Sequence, residues 1–260
     1  MICSICSGQE FQQNTVLKQR LIDEWELEQP EVDYINRQQG FCCANCGANY
    51  RSMTLAESII KQFKYNGNFK HFSQSKYHKI FNVLEINSAG SLHKYLSNFK
   101  NYTYAQYPEI DMQKMPYPSN LFDIIVHSDT LEHVLDSKIA LSECLRVLKP
   151  GGYLFYTVPI IYGRLSRRRD NLTNSYHGKQ DETQGYDHKV FTEYGADFWV
   201  EIIQAGFKEI KLINNGELTS IGIVCFKENF VPNYENSELN LVSRIEWKMK
   251  NIVKKLINIK

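Results

Sequence analysis

The sequence lacks the long apolar run of a membrane span, since no stretch approaches the roughly 20 apolar residues that a helix needs to cross a bilayer. It also lacks a basic N-terminal region followed by an apolar one, so a secretory signal peptide is not expected. An excess of one charge is missing too, because 30 Lys and Arg oppose 29 Asp and Glu. That balance argues against broad binding to nucleic acid or anionic membranes. We therefore expect a cytoplasmic protein whose cysteines are reduced, buried or metal-bound rather than paired in disulfides.

Internal repeats and low-complexity tracts are also absent, and four segments differ in character. Residues 1–50 hold five of the seven cysteines, and residues 51–78 carry apolar side chains at helical spacing, which predicts a helical connector. Residues 79–228 form the main domain. Residues 229–260 predict a basic amphipathic helix. That helix would pack on this chain or on a second copy in a homo-oligomer, or else contact a membrane surface.

Strand and helix patterns alternate through residues 79–228, which predicts a doubly wound α/β sheet. Strands are predicted at residues 80–86, 102–107, 123–127, 153–158, 207–213 and 221–227, and helices at residues 91–98, 137–148 and 193–205. The last two strands have no helix between them, which favours an antiparallel pair. Polar residues follow the parallel strands, and such sheets bind ligands at the carboxyl ends of their strands.

Two Cys-x2-Cys turns, at residues 3–6 and 43–46, stand 36 residues apart. Each turn supplies two thiolates from one bend, and zinc prefers four such ligands in a tetrahedron. The predicted ligands are Cys3, Cys6, Cys43 and Cys46. Four protein ligands leave no open coordination position, so the zinc would be structural. Reduced cysteines in a small core and an iron–sulfur cluster are the alternatives.

Three motifs of the main domain resemble class I S-adenosylmethionine-dependent methyltransferases. They are Phe122-Asp123, the Leu-Glu-His-Val of residues 131–134, and the Leu-Lys-Pro-Gly-Gly of residues 148–152. The resemblance covers residues 79–228. It implies a Rossmann-like methyltransferase sheet with an antiparallel final strand.

Further motifs resemble a bacterial subgroup of type-11 methyltransferase domains that carry an N-terminal zinc-binding module. They are Gly47 through Arg51 after the second cysteine turn, Thr157-Val158-Pro159, Tyr176-His177-Gly178, residues 191–197 and Ala205-Gly206-Phe207. This resemblance implies S-adenosylmethionine as cofactor and a structural Zn²⁺.

The resemblance also implies a cofactor site across neighbouring strand ends. The turn after the first strand keeps one glycine, and Gln106 stands where the family carries a ribose-binding carboxylate. Asp111 and the backbone of Met112 would read the adenine edge, and His127 would lie near the methionine part. The implied cofactor residues are Glu85, Asn87, Ser88, Ala89, Gly90, Gln106, Asp111, Met112, His127 and Ser128.

Methyl transfer from a sulfonium is an in-line displacement that needs close positioning and sometimes one general base. Histidine suits proton removal near neutral pH. The candidate bases are His133, His177, His127 and His188. Four arginines between residues 164 and 169 form either a clamp for an anionic acceptor or a solvated loop.

We therefore predict an enzyme that transfers a methyl group from S-adenosylmethionine to O or N of a small or carbohydrate-like acceptor. The arginine cluster makes an anionic acceptor one option. A methyltransferase-like scaffold without cofactor is one alternative, because the glycine-rich turn is degraded and Gln106 replaces a carboxylate. An RNA methyltransferase whose cysteine module reads RNA is another, although the neutral charge argues against nucleic acid as a partner.

Overall fold

The computed structural model describes residues 1–177, 188–214 and 220–228. Its strands are β1 (Phe11–Gln13), β2 (Phe41–Cys43), β3 (Asn82–Ile86), β4 (Asn101–Ala105), β5 (Phe122–Ser128), β6 (Leu148–Thr157), β7 (Ile160–Ile161), β8 (Arg167–Arg168), β9 (Ser175–Tyr176), β10 (Lys189–Val190), β11 (Thr192–Gly195), β12 (Glu209–Ile213) and β13 (Gly222–Phe226). Its α-helices are α1 (Gln19–Glu24), α2 (Gln29–Gly40), α3 (Tyr50–Gln62), α4 (Phe69–Gln74), α5 (His93–Leu96), α6 (Ser137–Val147) and α7 (Trp199–Gln204).

The central sheet has six strands in the order β12-β13-β6-β5-β3-β4. Strands β6, β5, β3 and β4 run parallel to one another. Strand β13 is antiparallel to both β6 and β12. The prediction of a Rossmann-like α/β sheet that ends in an antiparallel pair is confirmed.

Successive strand residues point to opposite faces of this sheet and enter two different cores. Leu84 of β3 and Ile125 of β5 pack on one face, in a cluster that includes residues of α6 and α7. Their neighbours Val83 and Ile124 pack on the other face, in a cluster that includes residues of α3 and α4. Both faces are therefore covered, as a parallel sheet requires, and this explains why its strands read as continuous apolar runs.

Helix α3 begins where Asn49 accepts a hydrogen bond from the Ser52 backbone N–H at 2.8 Å. The apolar residues whose spacing predicted this helix, including Leu55 and Ile59, are buried. Helix α3 contacts β6 and β13 of the sheet. The segment predicted as a connector thus forms part of one of the two layers that flank the sheet.

The N-terminal region packs through a third apolar cluster, in which Trp25, Val32 and Ile35 meet Ile161 and Val190. Residues from two distant parts of the chain are joined here. The cluster fixes helix α2 against the segments that follow β6.

Two helix predictions are wrong in part. Where a helix over residues 193–205 is predicted, residues 192–195 form β11, which pairs with β7 and β8, and only Trp199–Gln204 is helical. A strand is favoured over a helix here because strand pairing brings the buried Glu193 carboxylate to Arg164, Arg167 and Arg169. The helix predicted at residues 91–98 is a 3₁₀ turn followed by the single turn of α5.

The basic helix predicted at residues 229–260 lies outside the described residues. Within the part of the chain that the structure describes, no helix combines the length and apolarity needed to cross a membrane.

Candidate functional site

A cavity of 720 Å³ opens where β3, β4 and β5 end. Polar turns from three strand ends meet here because parallel strands bring their carboxyl ends to one edge. Seven of the residues predicted from the sequence line it: Asn87, Ser88, Gln106, Asp111, Met112, His133 and His188. Its remaining wall includes Tyr104, Ile110, Asp129, Thr130 and Phe191. The volume suits a small-molecule ligand.

Glu85 closes the first strand end but does not line the cavity. Its carboxylate is fully buried and accepts a hydrogen bond from the Ala89 backbone N–H at 2.7 Å. The other carboxylate oxygen accepts a hydrogen bond from the Tyr102 hydroxyl and lies 2.9 Å from His93 Nδ1. Burial, with the hydrogen bond to Glu85, raises the pKa of the Tyr102 hydroxyl well above its ordinary value. Glu85 therefore shapes the turn that faces the cavity.

The turn after β3 is held in a left-handed backbone conformation at two positions. Asn87 has a φ of +51°, and its side-chain oxygen accepts a hydrogen bond from the Tyr107 backbone N–H at 3.0 Å, joining the first and second strand ends. Gly90 has a φ of +57°, a conformation that glycine adopts without the usual side-chain penalty. Ala89 and Gly90 are part of the turn but do not line the cavity.

Asp111 lies on the cavity wall with its carboxylate anchored by Gln113. The Gln113 backbone N–H donates to Asp111 Oδ1 at 2.8 Å. The Gln113 side-chain oxygen in turn accepts a hydrogen bond from the Asp136 backbone N–H at 2.9 Å. The anchored carboxylate offers a fixed acceptor to a ligand.

His127 and Ser128 lie inside the sheet rather than on the cavity wall. The His127 ring is fully buried and stacks on the Tyr156 ring with centroids 4.7 Å apart. Burial lowers the pKa of His127 to about 3, so the ring is neutral at physiological pH. Ser128 Oγ lies 2.8 Å from Thr157 Oγ1. These placements favour packing roles for both residues.

His133 and His177 meet at the buried Glu132 carboxylate. His133 Nε2 lies 3.1 Å from His177 Nδ1 and 3.7 Å from Glu132 Oε1, and His177 Nδ1 lies 3.9 Å from the same oxygen. His133 Nδ1 lies 2.9 Å from the Lys189 carbonyl oxygen and donates to it. The pKa of His177 is well below its ordinary value, first because of burial and then because of nearby positive charge.

Arg51 is a site residue for which the sequence analysis predicted no role. It forms an ion pair with Asp129, which lines the cavity and has a φ of +48°. Burial lowers the pKa of Arg51 to about 10, so the guanidinium stays charged at neutral pH. Arg51 stands four residues before Leu55, on the buried face of α3, and a charge in that position is the signal that could have revealed it.

The arginine cluster is engaged by carboxylates of the chain itself. Arg164 Nη2 and Arg167 Nε lie 2.5 and 2.7 Å from Glu193 Oε2, and Arg169 pairs with the other oxygen of Glu193. Arg168 pairs with Asp170 at 3.0 Å. The anionic acceptor predicted from this cluster thus stays a prediction.

The four predicted metal-binding cysteines come together, with all four Sγ atoms within 4.8 Å of one another. Cys3 Sγ lies 3.7 Å from Cys46 Sγ, and Cys6 Sγ lies 3.7 Å from Cys43 Sγ. Zn–S bonds of about 2.3 Å in a tetrahedron place sulfur atoms roughly 3.8 Å apart, so the spacing fits a tetrahedral thiolate site.

The turns around the cysteines are also shaped for such a site. The backbone N–H of Gly8 donates to Cys6 Sγ at 3.4 Å, and the Asn45 side chain donates to the same sulfur at 3.3 Å. A Cβ at Gly8 would stand 2.9 Å from Cys43 Sγ, so only glycine fits. Partial burial opposes ionisation of the Cys6 thiol, but these donors outweigh it and lower its pKa to about 7.

Comparisons with known proteins find similarity to methyltransferases. Residues 47–156 match the Methyltransf_11 family model, described as a methyltransferase domain. A probable S-adenosylmethionine-dependent methyltransferase of Mycolicibacterium smegmatis is 32% identical over 83 residues, which cover 29% of this chain and 31% of that protein. The ubiquinone/menaquinone biosynthesis C-methyltransferase UbiE of Saccharophagus degradans is 46% identical over 48 residues, covering 18% of this chain and 19% of that protein.

The chain thus spans less than a third of the length of these curated relatives. Among solved structures, a SAM-dependent methyltransferase of Thermotoga maritima, titled a possible histamine N-methyltransferase, is 15% identical with a TM-score of 0.39, over 80% of this chain and 97% of that one. The matched segment is thus similar to SAM-dependent methyltransferase domains, the resemblance that the sequence motifs indicated.

Proposed function

We propose that the protein transfers a methyl group from S-adenosylmethionine to a small acceptor bound in the 720 Å³ cavity. The observation that carries this proposal is the convergence of three strand-end segments on one cavity within a matched methyltransferase domain. Sulfonium chemistry needs the methyl carbon and the acceptor atom held in line, and such a cavity supplies that positioning.

We assign the cofactor to the part of the cavity near Ser88, Gln106 and Asp111. Asp111 and the Met112 backbone would receive the adenine edge, since an acceptor beside a donor complements it. Gln106 would bind the ribose hydroxyls through neutral hydrogen bonds, which are weaker than those of a carboxylate. The turn at Asn87 and Ser88 would face the methionine part.

We assign the acceptor to the part of the cavity near Thr130, His133, His188 and Phe191. An oxygen or nitrogen of a small or carbohydrate-like molecule suits this mixed polar and aromatic wall. Both ring nitrogens of His133 already face protein atoms, Lys189 O and His177 Nδ1. We therefore propose His188 as the proton acceptor.

We also propose that Cys3, Cys6, Cys43 and Cys46 hold a structural Zn²⁺. The sulfur spacing and the close fit at Gly8 support this assignment. When bound, the ion would supply folding free energy to the N-terminal region.

Calorimetric titration of the purified protein with S-adenosylmethionine tests the proposal. Asp111→Ala should weaken binding at least about tenfold, equivalent to about 1.4 kcal/mol. Asp33→Ala, at an exposed carboxylate, is the matched control and should bind as the parent does. No heat from the parent at high micromolar ligand would contradict the proposal.

One observation favours a second candidate, a binding scaffold without cofactor. Gln106 lines the cavity where the family has a carboxylate. The Glu85 carboxylate already accepts hydrogen bonds from the Ala89 backbone N–H and the Tyr102 hydroxyl. The same titration separates the candidates, because the scaffold predicts no binding. In that case Gln106→Glu should not restore it.

A further inference from the structure

The cluster formed by Glu132, His133 and His177 combines three candidate ligand atoms with a buried carboxyl group that has no hydrogen-bond partner among the described residues. Their nearest oxygen and nitrogen atoms are separated by 3.1, 3.7 and 3.9 Å. Glu132 is 1% exposed, and neither of its carboxylate oxygens has a hydrogen-bond partner among the described residues. A buried carboxylate without partners is costly, so something is expected to satisfy it.

His133 is oriented as a metal-binding histidine is. His133 donates its Nδ1 hydrogen to the Lys189 carbonyl oxygen, which leaves the lone pair of Nε2 directed at the cluster. Metal-binding histidines characteristically donate their other ring N–H to such a carbonyl. The centroids of the His177 and Trp25 rings lie 5.4 Å apart. The His177 backbone N–H donates to the His188 carbonyl oxygen at 3.0 Å.

The local charge also accommodates a cation. Asp129 is compensated by Arg51, which lies close enough to act on Glu132 as well. When both carboxyl groups are ionised, they exceed the single guanidinium by one negative charge. A divalent cation would convert this to one net positive charge and give the Glu132 oxygens a direct partner.

We propose that Glu132, His133 and His177 bind a divalent first-row metal ion, with Zn²⁺ as the first candidate. Two imidazoles and one carboxylate form a donor set that zinc and iron sites use. Metal–ligand bonds of about 2.1 Å at tetrahedral angles place ligand atoms roughly 3.4 Å apart, and the three observed separations bracket that value. Binding therefore needs only small side-chain adjustments.

Three protein ligands leave a coordination position open, and His133 lines the cavity. If the proposed function holds, the open position serves an oxygen of the acceptor. The ion binding itself does not depend on methyl transfer. The two proposals can therefore fail separately.

The test uses the full chain after chelation, titrated with Co²⁺ alone. The cysteine cluster reports through thiolate-to-cobalt charge transfer in the near ultraviolet, whereas the Glu132–His133–His177 site contributes only weak visible bands. We expect both signals in the parent, and elemental analysis after zinc loading should give two ions per chain.

Glu132→Gln and His177→Gln should each lose the second ion and keep the thiolate signal, which also shows that the N-terminal region has folded. His71→Gln, at an exposed histidine, is the control and should keep both ions. A parent that binds only the ion held by the thiolates, or variants that keep two ions, would overturn the proposal. Because S-adenosylmethionine is absent from this experiment, the outcome is independent of cofactor binding.

Discussion

The cysteine cluster and the Glu132–His133–His177 cluster each hold their ligand atoms within 4.8 Å of one another, but they arise from different kinds of sequence. Each Cys-x2-Cys turn supplies half of its cluster from four consecutive residues. In the second cluster, His177 comes 44 residues after His133 along the chain, and the pairing of β9 with β10 aligns its segment. Local spacing thus reveals the first cluster, whereas the second depends on tertiary folding.

Helix α3 connects the two regions. It starts four residues after Cys46, and its Arg51 reaches Asp129 at the end of β5. Buried Cys3 and Cys43 share an apolar cluster with α3 and with the sheet. A change at the cysteines is therefore expected to reach the cavity.

The largest expected effect comes from removing one of the four cysteines proposed to bind zinc. Cys43→Ser should abolish metal binding at the cysteine cluster and lower the free energy of unfolding by about 4 kcal/mol, because metal binding contributes to folding. Cys42→Ser, at the adjacent cysteine outside the cluster, should change stability by less than about 1 kcal/mol. Zinc content and denaturant unfolding measure both. Equal stability of the two variants would contradict a structural role for the cluster.

The link between the two regions is tested at Arg51. Arg51→Met should cost about 3 kcal/mol, because it leaves the Asp129 carboxylate without its partner in a largely buried environment. Arg20→Met breaks the more exposed pair with Glu24 and should cost less than about 1 kcal/mol. Urea unfolding monitored by tryptophan fluorescence compares them. Similar losses in both variants would mean that α3 does not depend on this ion pair.

The smallest effect at neutral pH is expected at His127, the buried histidine outside both clusters. Because its pKa is lowered to about 3, the unfolded chain, whose histidine has a pKa of 6.5, binds a proton that the folded chain does not. The stability that this neutral ring contributes is complete above pH 6.5 and declines as the pH falls, by up to about 1.4 kcal/mol per pH unit. His127→Phe should flatten that decline.

Urea unfolding at several pH values between 5 and 7 measures the slope for His127→Phe and its parent, with His71→Phe at an exposed position as the control. An unchanged slope in His127→Phe would show that this ring is not the source of the acid sensitivity.

Much of the fold could be predicted because its signals are local. The apolar runs at β3, β5 and β6 and the helix-free connection between the last two strands were enough to predict a parallel sheet with an antiparallel end. The helix over residues 193–205 could not be corrected from the sequence. Its first residues belong to β11, and the pairing of that strand with β7 and β8 is a long-range contact.

The candidate site likewise contains residues that local motifs predicted and residues that only tertiary contacts bring to it. Asn87, Ser88, Gln106, Asp111 and Met112 could be placed at strand ends from their motifs, and all five line the cavity. The inward side chain of Arg51 and the approach of His177 to Glu132 had no local pattern that specified a partner.

The sequence by itself determined the sheet, its antiparallel end and the two cysteine turns, because hydrophobic periodicity and turn spacing act between residues close along the chain. Only the tertiary structure decided that Arg51 of α3 pairs with Asp129 at the cavity and that His133 and His177 lie beside the Glu132 carboxylate. Contacts between distant segments depend on how whole elements pack, and a single stretch of sequence does not encode that packing.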